Sequence, residues 1–115
     1  MLFIETRGND GQHSTSVPFS EAILNPMASF GGLYSPQTLP ELSTEFLHSH
    51  INSSYKQLAF SVLKAFEVDI DDDVLNQAIA LYDNFDDETN PLPVVKVNED
   101  LFVSELYHGP TRAFK

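Results

Sequence analysis

The stretch Glu105-Leu106-Tyr107-His108-Gly109-Pro110-Thr111-Arg112-Ala113-Phe114-Lys115 governs the reading of this chain. It begins inside the β-rich run Leu101 to Tyr107, breaks at a Gly-Pro turn, and reaches Thr111 and then Lys115. Lysine is scarce here: the six basic residues stand scattered at 7, 56, 64, 96, 112 and 115. A lysine in a pocket can act as a Schiff-base nucleophile when desolvation or a neighbouring cation lowers its pKa. Arg112 lies close in sequence. On the residues alone, an ordinary solvated lysine is the simpler reading.

Working upstream, Val94 to Val97 and Leu101 to Tyr107 are two β-rich runs joined by Asn98-Glu99-Asp100, which predicts a hairpin. Asn84 to Pro93 is polar and proline-bearing, and reads as a loop or a boundary. The helix signals before it are the clearest in the chain. Ser54-x-x-Gln57 is a capping box, followed by Tyr55, Leu58, Ala59, Val62, Leu63 and Phe66 on one helical face. A second helix is predicted from the Asp71-Asp72-Asp73 cluster, with Leu75, Ala78, Ile79 and Tyr82 on one face.

Further upstream, Thr38 and Glu41 have capping-box spacing and predict a short helix near 39–49. Gly31-Gly32-Leu33-Tyr34-Ser35-Pro36 reads as a turn entering an extended piece. Pro18 suits the first turn of a helix that carries Phe19, Ala22 and Ile23 and stops at Asn25-Pro26. Gly8 to Ser16 reads as a loop, and Leu2 to Thr6 as a strand.

Composition narrows the function. The 115 residues carry a formal charge of −11 and 42% hydrophobic side chains, with nine Phe, so a packed core is expected and disorder is not. The acidic balance and scattered cations argue against a nucleic-acid partner or a membrane surface. No apolar run approaches the ~20 residues of a membrane span, and the N-terminus lacks a signal-peptide pattern. A cytoplasmic protein is expected. The absence of Cys excludes disulfide scaffolds, zinc ribbons and thiol nucleophiles.

Other candidate chemistry is weak. Asp69, Asp71 and Asp73 alternate as in a calcium loop, but Val74 stands at the glycine position and Ala80 at the final glutamate position. Helix capping and a solvated face account for the run. His48 and His50 would point to different sides of a helix and could not share one ion, so no metal site is expected. Neither a phosphate-binding glycine loop nor a G-x-S-x-G elbow is present.

The 105–115 string resembles the E-L-F/Y-H-G-P-T-x-A-F-K segment of threonine synthase, a pyridoxal 5'-phosphate enzyme of fold type II. Three other stretches agree in order. Thr6-Arg7-Gly8 is similar to the family's S/T-T-R-G opening, Phe19-Ser20-Glu21-Ala22-Ile23 to its F-x-E-A-apolar helix, and Gly31 to Pro36 to its G-G-L-Y-x-P turn. Arg112 departs from the pattern, standing where many members have an apolar residue.

The resemblance implies an α/β enzyme, α+β within these residues, with N-terminal helices, short strands and a hairpin leading into the catalytic domain. Residues 1–90 would form the N-terminal domain and 91–115 the start of the catalytic domain, truncated at the Schiff-base lysine. It implies conversion of O-phospho-L-homoserine and water to L-threonine and phosphate, the last step of threonine biosynthesis. Phosphate would leave from Cγ and water add at Cβ. Lys115 is the implied catalytic and cofactor-tethering residue, with Thr111 and His108 as substrate-binding candidates. The implied partner is the remaining catalytic domain of the same enzyme, and the 115 residues alone are expected to be inactive. Two alternatives stand beside this. One is a non-catalytic N-terminal module binding a partner. The other is a different fold-type-II lyase, although those usually carry S-x-K around the lysine.

Overall fold

A computed structural model describes residues 1–7, 16–28 and 31–112. The loop expected over Gly8 to Ser16 therefore lies outside the described residues except for Ser16, as do Ala113, Phe114 and Lys115. The described residues form two antiparallel sheets and four α-helices, with α1 between two strands of the first sheet, which accords with the α+β reading.

The first sheet is built around β1 (Leu2–Glu5), flanked by β2 (Ser16–Pro18) and β3 (Tyr34–Pro36) in the order β2-β1-β3. Phe3 lies opposite Val17 on one side and Pro36 on the other. β2 was not expected: Ser16 belongs to a strand and not to the preceding loop, and Pro18 closes that strand before α1 (Phe19–Leu24) begins. Three residues give too little periodicity to be read locally, and it is β1 that supplies their hydrogen bonds. Gly31 adopts φ +73°, the left-handed conformation that the turn into β3 requires.

α2 (Thr44–His50) starts five residues later than Thr38-x-x-Glu41 suggested. Ser43 Oγ accepts the Phe46 N–H at 3.1 Å, so the nearer hydroxyl caps the helix and the expected box at Thr38 does not. α3 (Tyr55–Ala65) has the expected capping box, with Ser54 N donating to Gln57 Oε1 at 3.0 Å and Gln57 N to Ser54 Oγ at 3.2 Å. Its far end closes with Glu67 N bonded to the Lys64 carbonyl and Val68 N to the Leu63 carbonyl, a Schellman arrangement. Glu67 takes φ +49° to make it.

α4 (Asp72–Ala80) begins where the acidic cluster predicts, and Asp71 accepts the Asp73 N–H at 2.9 Å. Leu75 and Ile79 are buried, and Ala78 is exposed. The chain then tightens into a 3-10 turn at Leu81–Asn84.

The core has two parts. Phe3, Val17 and Ala22 form one, and Val68, Leu75 and Ile79 the other, with Phe19 packed against both. The expected hairpin is β4 (Val94–Lys96) paired with β5 (Phe102–Ser104), with Val95 opposite Val103. No helix among the described residues is long and apolar enough to cross a membrane.

Candidate functional site at the lysine segment

The segment leading to Lys115 is fastened to the loop that follows the 3-10 turn. Tyr55 of α3 meets Tyr82 edge-on with ring centroids 4.7 Å apart, and Tyr82 meets Phe85 at 4.9 Å. This row of rings ends against Gly109, which is buried. A Cβ at Gly109 would stand 3.0 Å from Phe85 Cζ, so only glycine lets the backbone come this close. Pro91, fully buried in the same loop, helps to fix its course. Glu105 N donates to the Pro93 carbonyl at 2.9 Å and Asp86 N to the His108 carbonyl at 3.1 Å.

Side chains add a charged layer. His108 Nδ1 lies 3.1 Å from Asp86 Oδ2, and its Nε2 lies 2.7 Å from Glu105 Oε2. Arg112 Nη1 donates to the same Asp86 Oδ2. With a carboxylate at each ring nitrogen, His108 is a donor on both sides, which favours the imidazolium. Glu105, and then Asp86, accordingly hold its pKa above the ordinary histidine value. Asp86 is held below the usual carboxylate range by Arg112 first and His108 second. Glu105 is lowered by His108 and then Tyr107. The Tyr107 ring lies 4.7 Å from the imidazole.

Both nitrogens of His108 are therefore engaged within the protein, by carboxylates. Thr111 sits exposed in the turn after Gly109, and Arg112 takes φ +57° with its N–H on the Gly109 carbonyl at 3.0 Å. Lys115 lies outside the described residues, three positions beyond Arg112. Sequence reasoning missed Asp86 and Phe85, because the residues of the lysine segment that they meet, His108, Arg112 and Gly109, lie 22 or more residues away and nothing local marks them.

The remaining candidates do other work. Asp69 accepts the Ser20 N–H at 2.9 Å and the Ser20 hydroxyl at 2.5 Å, serving the start of α1 in place of a metal. Asp71 caps α4, and His50 Nδ1 contacts the Phe46 carbonyl oxygen at 2.7 Å. Among the described residues no three His, Cys, Asp or Glu side chains are grouped to hold a metal ion.

The sequence model of the family described as "Threonine synthase N terminus" matches residues 2–81. The chain belongs to that family. Threonine synthase from Methylobacillus glycogenes is 33% identical, aligned over 100% of this chain and 25% of its own length. The enzyme from Pseudomonas aeruginosa is 34% identical, over 100% and 24%. Among solved structures, PLP-bound threonine synthase from Brucella melitensis superimposes with a TM-score of 0.83 at 33% identity, covering 99% of this chain and 24% of that one. Yeast threonine synthase gives 0.77 at 31% identity, over 98% and 23%. The chain thus spans about a quarter of the length of the threonine synthases it matches.

Proposed function

We propose that this chain is the N-terminal part of a cytoplasmic threonine synthase, which converts O-phospho-L-homoserine and water to L-threonine and phosphate with pyridoxal 5'-phosphate. Residues 1–90 form its N-terminal domain, and 91–115 open the fold-type-II catalytic domain, whose remainder is the partner that completes the site. What supports the reading above all is the superposition of nearly the whole chain on a PLP-bound threonine synthase.

The residues present fit one end of the cofactor. Lys115 is a primary amine, the group that condenses with an aldehyde. Lys56 and Lys64, by contrast, face Asp83 and Asp72 at 2.5 and 2.8 Å, and Arg112 faces Asp86, so these cations do not gather round a phosphate. By the family resemblance, the phosphate cradle and the partners of the ring belong to the remaining catalytic domain. Pyridoxal phosphate, when bound, supplies an electron sink for carbon chemistry next to the substrate nitrogen.

Lys115 has two roles in this reading. Its amine tethers the cofactor, and in its free, neutral form it takes and returns protons at substrate Cα and Cβ. Gly109 and Pro110 set the approach of the chain to that amine. Thr111, exposed in the turn, offers a hydroxyl to substrate. His108, held at both ring nitrogens by Asp86 and Glu105, serves substrate binding through placement of that turn.

The test is phosphate release from O-phospho-L-homoserine by the full-length protein, beside Lys115→Ala. Turnover in the wild type, with loss of at least a thousandfold in the variant, is the expected result. Near-normal turnover in Lys115→Ala, or none in the wild type, overturns the reading and leaves a non-catalytic module or another lyase.

A further inference from the structure

We propose that Asp86 is a positioning residue for the lysine segment: it holds His108 and Arg112 together and so fixes the backbone path that leads to Lys115. The inference rests on the threonine synthase reading of Lys115. Asp86 lies outside the segment, 22 residues before His108 and 26 before Arg112, and it grips the segment three times. Its Oδ2 faces His108 Nδ1 at 3.1 Å and also takes the Arg112 guanidinium, while its N–H donates to the His108 carbonyl at 3.1 Å.

Glu105 makes the shorter contact to the imidazole, 2.7 Å at Nε2, but it belongs to the same segment as His108 and ties it to nothing else by that contact. Among the described residues, the groups facing His108 are Asp86, Glu105 and the Tyr107 ring, and of these only Asp86 comes from another part of the chain. It does so from the loop directly after Phe85, the ring on which Gly109 rests. One face of the segment is thus set by contact with an aromatic ring, and its register by one carboxylate.

The arrangement also gives Arg112 a role. Its position departs from the family pattern, and its left-handed backbone, φ +57°, aims the side chain at Asp86 while its N–H closes on the Gly109 carbonyl. A single carboxylate oxygen serving two cationic donors needs full negative charge. Asparagine keeps the shape but supplies a neutral acceptor and adds a donor that repels the imidazolium.

The experiment is steady-state kinetics on the full-length enzyme with Asp86→Asn, Arg112→Met and the double variant, together with an NMR pH titration of the His108 imidazole. Asp86→Asn is expected to lower kcat on the order of tenfold, because misplacing a reacting group is costly. KM should change by less than about twofold, and the His108 midpoint should fall by about one unit. The Lys115–pyridoxal adduct fixed by borohydride should still form, which separates failure of this inference from failure of the functional reading. Arg112→Met, at an exposed side chain, should lower kcat about threefold, and the double variant should be no slower than Asp86→Asn alone. Additive losses, a kcat within about twofold of wild type, or an unmoved His108 midpoint each overturn the proposal. Should Asp86→Asn not fold, Arg112→Met decides by the same readouts, a loss of kcat at unchanged KM supporting the proposal and no loss overturning it.

Discussion

Gly109 shows how one missing side chain shapes a site. Its backbone lies against the Phe85 ring so closely that an added Cβ would stand 3.0, 3.3 and 3.4 Å from three ring carbons. Phe85 does not move freely, because its ring also meets Tyr82 at 4.9 Å and Tyr82 meets Tyr55 at 4.7 Å. Gly109→Ala is therefore expected to destabilise the fold by about 1–3 kcal/mol, the range for overpacking a fitted contact. The cost should shrink when Phe85→Leu is added, since that change removes the ring edge the methyl meets. Urea midpoints of the two single variants and the double variant measure this. An undiminished cost in the double variant would show that Phe85 is not what the methyl meets.

At the scale of elements, the question is why a six-residue helix persists. Helices this short do not hold themselves in water. Pro18, at the N-cap of α1, has no side-chain acceptor to offer. Asp69, 49 residues away, supplies it by accepting both the backbone N–H and the hydroxyl of Ser20. The Ser20 hydroxyl, and then its N–H, hold the Asp69 carboxyl below its ordinary range. A depressed carboxylate pKa contributes stability that is present above the unfolded value, about 3.9, and is lost as pH falls through the lower folded value. Asp69→Asn should therefore be less stable than wild type at pH 7, with the gap narrowing as pH drops below about 4. Urea melts at pH 7 and pH 3 compare them, and an equal gap at both sinks the account. This contact also marks where sequence reading stops. α3, α4 and the hairpin were legible because their signals are local: a capping box, an aspartate cluster, two β-rich runs around a turn. Strand β2, the Ser20–Asp69 bond and the Asp86 grip on His108 depend on partners brought in by the fold. No spacing encodes them. The start of α2 was misplaced for a related reason, since Thr38 and Ser43 both offer a cap and only the packed chain selects Ser43.

Across the whole molecule, the mass is not gathered round one centre. The radius of gyration is 16.9 Å, against ~13 Å for a compact domain of this length. Phe19 links the two core clusters, and the β4–β5 hairpin belongs to neither. The two faces of the hairpin differ. Val94, Lys96, Phe102 and Ser104 share one, where Lys96 Nζ lies 5.8 Å from the Phe102 ring centre. Val95 and Val103 pair on the other, continued by Val97 and Leu101, and these four are 42, 42, 58 and 49% exposed. An uninterrupted apolar stripe on a two-stranded sheet is a surface built to be covered. Val103→Lys should accordingly act in opposite directions in two settings. In the isolated 115-residue chain it removes a sticky surface, so concentration-dependent association in sedimentation should weaken. In the full-length protein, where the functional reading puts a covering domain, it places a charge under that cover and should cost about 2 kcal/mol in stability. Lys96→Gln, on the opposite face, should do neither. Equal behaviour of Val103→Lys in the two settings would mean that the stripe stays open to solvent in the longer protein, and that the hairpin is not the seam the functional reading expects between this chain and a covering domain.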